Sequence, residues 1–249
     1  MLVSIIFPSY NEMSNVKKGV LDDVITYLGT VDWAWEVLLA DDGSTDGTAR
    51  ELEKFASSHP NVRYIPLPHR GKGPTVLEAL QKAKGDIRLF SDFDQATPLT
   101  EIEKLLPFVE KDYDVVIGSR EVQGAERKRE PIHRHLMGKG FNFLVKIIAI
   151  GGIADTQCGF KLFTKKAVDL LAPKVYVYSG KGELSGAFTG AFDVELLYLA
   201  KKYKLKIAEV PVFWKYVKTS RVDPVIDSIK MLKDIIRIRV ADLNGLYKD

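Results

Sequence analysis

The sequence predicts an α/β fold: a mostly parallel sheet flanked by helices. Two observations predict it. Over the first 118 residues, short β-branched runs alternate with segments of helical spacing. Strands alternating with helices of that length form βαβ units. Polar motifs rich in Asp and Gly then follow the strand-like runs directly. Right-handed crossovers bring such loops to one edge of the sheet, where open α/β sheets bind ligands.

The elements are expected in this order. A strand over 2–7 (LVSIIF) leads into PSYNE (8–12), and a helix is expected over about 14–28. The second strand, 36–40 (EVLLA), runs into DDGSTDGT (41–48), with a helix over about 45–57. The third, 62–67 (VRYIPL), precedes HRGKG (69–73) and a helix over about 73–84. The fourth, 86–90 (DIRLF), ends at SDFDQATP and is followed by a helix over about 99–110. The fifth, 113–118 (YDVVIG), ends at GSR. Beyond it the pattern is less regular. Residues 121–135 are rich in charge, and a helix with an apolar face is expected over 135–150. Strands are expected over 158–163 and, as one piece, 206–214; amphipathic helices over 192–203 and 224–243.

Composition narrows the function classes. Lys plus Arg is 36 and Asp plus Glu 33, a net charge of +3, which does not describe a general nucleic-acid binder. The single cysteine, Cys158, excludes an intramolecular disulfide and a cysteine-rich zinc site, and fits a reducing compartment. No secretory leader and no membrane-length apolar run are expected from the sequence. Neither a P-loop nor a G-x-G-x-x-G fingerprint is present.

The motifs suggest chemistry, each beside a plainer reading. At a strand end, residues i and i+2 point the same way, so Asp92 and Asp94 can aim at one point. Two carboxylates that close repel unless a cation lies near, and hard divalent cations prefer oxygen ligands. The same stretch also suits a helix start. Asp41 and Asp42 end a strand at the ligand edge, with Ser44, Thr45 or Asp46 able to cap the next helix. Arg70 and Lys72 beside Gly71 and Gly73 form a basic turn that can hold an anion or simply open a helix. His59 and His69 read as loop residues, and Cys158 as packing.

In order along the chain stand SIIFPSYNE, VLLADDGSTDGT, RGKG, SDFD, VVIGSR, DTQCGFKLF, FDVELL and EVPVFW. This set resembles the family 2 glycosyltransferases of the GT-A type, a Rossmann-like fold. It is most similar to the branch that makes dolichyl-phosphate glucose and dolichyl-phosphate mannose, with DTQCGFKLF and FDVELL on the glucose side. The resemblance covers about Val3 to Arg239. It implies one glycosyltransferase domain, 1–249, with a nucleotide-sugar half (1–120), an acceptor half (121–223) and a C-terminal amphipathic helix (224–249). Pro8, Tyr10, Glu12 and Asp42 would line the nucleotide pocket, with Asp41 in support and Lys72 as a cation. Asp92 would lie near ribose and metal, and Asp94 would be the main ligand of Mg²⁺ or Mn²⁺. In related mannose synthases a glutamine two residues after the second aspartate helps hold the metal. Here that position is Ala96, and the glutamine is Gln95.

The resemblance further implies a hexose donor, UDP-glucose first and GDP-mannose second, and a polyprenyl or dolichyl phosphate acceptor. Arg120 and Arg134 match arginines that bind the lipid phosphate. Asp193 stands where relatives acting on hydroxyls keep their base. Here it would hold sugar hydroxyls or orient the acceptor, with a helix N-cap as the plainer reading. Lys215, Lys218 and Arg221 would close over the diphosphate, and Gly159 would permit a close backbone approach. The expected setting is cytoplasmic and peripheral on the cytoplasmic membrane face, through 135–152 or the last helix. Packing on the domain is the favoured reading for that last helix. A separate membrane-anchored partner would also fit.

Overall fold

The structure, a computed structural model, describes residues 1–128, 145, 150–179, 190–217 and 224–247, with the side chains of 224–228 excepted. Its elements are β1 (Leu2–Ser9), α1 (Met13–Val16), α2 (Val20–Leu28), β2 (Ala34–Asp41), α3 (Thr48–Ser57), β3 (Val62–Pro66), α4 (Lys72–Lys82), β4 (Ile87–Ser91), α5 (Ile102–Val109), β5 (Val115–Ser119), β6 (Glu126–Lys128), β7 (Phe160–Thr164), α6 (Lys165–Leu171), α7 (Phe192–Lys202), β8 (Ile207–Pro211), β9 (Phe213–Lys215) and α8 (Pro224–Leu243).

Seven strands form one sheet in the order β3-β2-β1-β4-β7-β5-β8. All neighbours are parallel except where β7 runs antiparallel between β4 and β5. The chain winds outward from β1 through β2 to β3, then returns to place β4 on the other side of β1. That reversal opens a crevice at the strand ends, the usual ligand position in such sheets.

The strands are buried on both faces, so they read as continuous apolar runs rather than alternating ones. Alternate residues nonetheless serve opposite faces. Ile6, Leu38, Phe90, Ile117 and Phe163 pack with residues of α4, α6, α7 and α8. Ile5, Phe7, Leu39, Leu89 and Val116 pack with residues of α2, α3 and α5. Among the described residues no helix is long and apolar enough to cross a membrane.

Several boundaries differ from the sequence reading, for local reasons. The helix expected over 14–28 is broken at Gly19, whose φ of +76° puts it in the left-handed region. The strand expected over 206–214 is two strands. β8 ends the main sheet beside β5, and β9 leaves after Val212 to pair with β6 inside the charge-rich stretch. Helix α6 was not anticipated. Its start is marked by Thr164, whose hydroxyl accepts the Ala167 N–H. Apart from Val145 and Ile150, the helix expected over 135–150 lies outside the described residues.

Candidate active site

The loop after β4 carries the two acids. Asp94 Oδ1 accepts the Ala96 N–H at 3.0 Å, which turns the loop tightly. Burial, then the nearby Asp92 carboxylate, pushes the Asp94 carboxyl up to about 6, with Glu12 adding to the rise. Gln95 does not join them. Its amide donates to Ser91 Oγ and the Asp92 carbonyl, and its Oε1 accepts the Leu99 N–H, capping the turn before α5. Ala96 is buried. The protein therefore offers oxygen ligands from Asp94 and Asp92 only on this loop. Among the described residues no three His, Cys, Asp or Glu side chains form a metal-binding group. Two neighbouring carboxyls, with Asp94 held high by burial and by Asp92, fit a hard divalent cation that takes its remaining oxygens from a diphosphate.

Asp92 is seated by a glycine. Its N–H donates to the Gly159 carbonyl at 3.0 Å, and a Cβ on Gly159 would lie 2.0 Å from Asp92 Oδ2. The close approach expected at Gly159 is thus an approach of this carboxylate. Lys72, the first residue of α4, donates its ammonium to Asp92 Oδ1. Burial works against the Lys72 charge, but Asp92, Asp193 and Asp94 together hold its pKa above the ordinary value.

Behind this group lies a second ion pair. Lys161, on β7, is fully buried and donates to Asp193 Oδ2 at 2.6 Å and to the Cys158 carbonyl at 2.5 Å. Asp193 lies in the first turn of α7 but makes no capping bond there; Ala191 is the N-cap. Its Oδ1 is buried with no hydrogen-bond partner among the described residues. The side chain is spent on Lys161, not on starting the helix. Cys158 is buried, and burial pushes its thiol up to about 11, which suits a packing residue.

At the ends of β1 and β2, the loops that follow are bolted together. Asn11, at φ +55°, accepts the Thr45 and Asp46 N–H groups and donates its own N–H to Ser44 Oγ. Asp41 is buried and accepts from Ser44. Gly47 is the N-cap of α3, and Asp46 just before it accepts the Thr48 N–H at 3.0 Å. Pro8 is buried in β1, and Glu12 accepts from Asn15 at 2.6 Å. Asp42 accepts from the Arg70 and Gly71 N–H groups, Thr75 Oγ1 and His69 Nδ1. It thereby fastens the basic HRGKG turn to β2. His69 is more than a loop residue: its ring stacks on Tyr10 at 4.1 Å and 9°. Tyr10 and His69 make a flat double wall beside Asp42.

Arg120 is anchored beyond β5. Its guanidinium makes a two-pronged pair with Asp155, Nε to Oδ2 at 2.7 Å and Nη2 to Oδ1 at 2.9 Å, and lies 5.4 Å from the Trp214 ring centre. Asp155 is fully buried. Glu209 accepts the Ala154 and Asp155 N–H groups and the Ser119 hydroxyl, fixing this corner to β8. Lys215 is in β9, and its N–H donates to the Ala96 carbonyl of the acidic loop at 2.8 Å. Arg134, Lys218 and Arg221 lie outside the described residues.

The structure therefore gathers Glu12, Lys72, Asp92, Asp94 and Asp193 by their mutual electrostatic influence. Sequence reading missed His69, Asp155 and Glu209 as site-shaping residues, and left Lys161 without a role. The signal available was indirect: charged residues inside otherwise apolar runs, as in CGFKLF, must find buried partners.

Comparison with known proteins bears on this arrangement. The family model described as "Glycosyl transferase family 2" matches residues 4–171. A Dictyostelium discoideum protein named dolichyl-phosphate beta-glucosyltransferase is 35% identical over 260 residues, 99% of this chain and 76% of that protein. The Saccharomyces cerevisiae protein of the same name is 36% identical over 270 residues, 100% of this chain and 77% of that one. Among solved structures, glucosyl-3-phosphoglycerate synthase from Mycobacterium tuberculosis, in complex with Mn²⁺, UDP and glucosyl-3-phosphoglycerate, superposes with a TM-score of 0.64. It is 19% identical and covers 96% of this chain and 79% of that one, a likeness of fold. With its sheet order, its acidic loop after β4 and these matches, the chain belongs to glycosyl transferase family 2.

Proposed function

We propose that the chain is an inverting glucosyltransferase that moves glucose from UDP-glucose to a dolichyl-type polyprenyl phosphate. The observation that carries this reading is similarity over nearly the whole chain to relatives named dolichyl-phosphate beta-glucosyltransferase. UDP-glucose carries its sugar in the α configuration, so a β-linked product requires one in-line displacement. An oxygen of the lipid phosphate attacks the anomeric carbon as the bond to the UDP oxygen breaks. The nucleophile is already an anion, so no general base is needed, unlike transfer to a hydroxyl.

Asp94, with Asp92 beside it, would hold Mg²⁺ or Mn²⁺. Such a cation, when bound, stabilises charge on a leaving diphosphate. The chain's own groups do the rest. Tyr10 and His69 offer a stacking wall for the base, and Asp42 holds the adjoining turn in place. Lys72 exchanges part of its bond to Asp92 for donor phosphate oxygens. Asp193, held by Lys161, presents its unpartnered Oδ1 to a sugar hydroxyl. Arg120, oriented by Asp155, and Arg134 receive the acceptor phosphate, where planar guanidinium groups suit a phosphate's oxygens. All of this belongs to a single transferase unit, the sheet being completed by β7 and β8 from the second half.

A donor screen tests the reading. UDP-glucose and GDP-mannose are each supplied with a short polyprenyl phosphate and a divalent cation. Acid-labile lipid-linked glucose is expected. Transfer from GDP-mannose alone would overturn the donor, and transfer only to a soluble glycan hydroxyl would overturn the acceptor.

A further inference from the structure

The large apolar side chains that the described chain exposes are concentrated near its C-terminus. Ile229, Ile236, Val240, Leu243 and Leu246 are 53, 48, 48, 79 and 46% exposed. Elsewhere among the described residues only Met1 and Tyr176 are comparably bare. Positions 229, 236, 240 and 243 are separated by seven, four and three residues, which returns them to one side of α8. Lys230, Lys233 and Arg237 are also exposed on this helix. Its described acids are turned away: Asp234 is buried, and Asp242 is half-buried and bonded to Lys202 and Tyr198. The other side of α8 packs inward through Ile235, Ile238 and Ala241. The reading of this helix as packing on the domain therefore describes one of its two apolar sides.

The inner side is fastened to the helix that carries Asp193. Tyr178 donates its hydroxyl to Asp234 and accepts the Ala191 N–H at 2.5 Å, just before α7. Tyr247, in the turn just past α8, donates to Glu195 of α7 at 2.5 Å. Through these bonds α8 lies one layer behind the candidate active site.

We propose that the outer side of α8 is a docking surface for an anionic lipid bilayer, holding the active site at the membrane. Its purpose rests on the lipid-phosphate acceptor proposed above. An apolar ridge with interposed cations and no exposed acid among its described residues fits an interfacial helix on anionic lipid. A second copy fits worse, because a two-fold contact sets a surface against itself and would oppose the basic row with its own image. A lysine such as Lys233 adds roughly fivefold to partitioning onto an anionic surface, while Arg237, 64% exposed, shares its charge with Asp234 at 3.1 Å and adds less.

The test is flotation of the full chain with vesicles of phosphatidylcholine, or of phosphatidylcholine and phosphatidylserine in equal parts. The wild type should float with the mixed vesicles and at least about tenfold less with the neutral ones. Ile236→Glu with Leu243→Glu should abolish flotation while keeping the thermal midpoint and turnover on a short, water-soluble polyprenyl phosphate. Leu243→Ser alone, at the most exposed position, should weaken partitioning several-fold without risk to folding. No flotation of the wild type, or undiminished flotation of both variants, would overturn the proposal. So would a wild-type dimer that the double variant splits and that ignores vesicles. Vesicle binding without turnover on any polyprenyl phosphate would sink the acceptor reading and leave the docking surface standing.

Discussion

Lys161→Met removes the cation from a pair shielded from water. Lys161 is fully buried and Asp193 is 7% exposed. Breaking one side of a buried pair costs about 3–5 kcal/mol, because the remaining charge stays buried and uncompensated. Two features favour the low end. Lys72 also acts on Asp193, and the N-terminus of α7 stabilises a first-turn acid by about 0.3–1 kcal/mol. The expected loss is about 3 kcal/mol, which in a chain of this size lowers the thermal midpoint by roughly 6–12 °C. Asp193→Asn alone should cost a comparable amount by stranding the lysine. The double variant removes both charges, so it should cost less than the sum, with a coupling of about 1.5 kcal/mol or more. Urea and thermal unfolding of the four proteins close the cycle. A single-variant loss below about 1 kcal/mol, or simple additivity, would refute the buried pair as drawn.

Other expectations follow from the same geometry. Gly159→Ala sets a methyl against the Asp92 carboxylate; because that group can swing away, stability should fall by under about 1 kcal/mol while kcat/KM for the donor drops roughly 100-fold. Equal and small effects on both would detach Asp92 from donor binding. Chelation of divalent cations should abolish turnover, with Mg²⁺ or Mn²⁺ restoring it, and Asp94→Ala should lose roughly 100-fold or more even with added metal; wild-type rates in that variant would remove Asp94 from the metal site. Burial raises the Asp155 carboxyl, but the Arg120 charge and hydrogen bonds more than offset this and hold it well below the ordinary carboxylate range. Its stabilisation is therefore complete above about pH 4 and is lost only as pH falls below that towards the depressed value. Asp155→Asn should be less stable at neutral pH and show a shallower loss on acid titration below about pH 4. An unchanged acid slope would contradict the Arg120–Asp155 pairing.

The βαβ half of the fold was legible because parallel strands buried on both faces leave unbroken runs such as LVSIIF and DVVIG, separated by turn chemistry. The edge was legible too, since a polar motif after each strand has few other places to go. What stayed hidden depends on partners far apart in sequence. Lys161 and Asp193 are 32 residues apart, and nothing local to either says that they meet. His69 looked like a turn residue because its stacking on Tyr10 and its bond to Asp42 arise only when the loops of β1, β2 and β3 converge. The break at Val212 was invisible for a similar reason: β8 and β9 form one apolar run, and only the partner strands, β5 and β6, divide it. Gln95 shows the opposite case. The sequence already set it one residue away from the position where related mannose synthases keep a metal-binding glutamine, and its left-handed backbone, φ +51°, turns its amide to the loop.

The most direct measurement follows the sugar itself. UDP-glucose labelled at the anomeric carbon is incubated with a short polyprenyl phosphate and Mn²⁺, and the lipid product is read by carbon–phosphorus coupling. The account predicts a β-configured glucose joined through its anomeric carbon to the lipid phosphate. An α-linked product, or label that never leaves UDP in the presence of lipid phosphate, would contradict it.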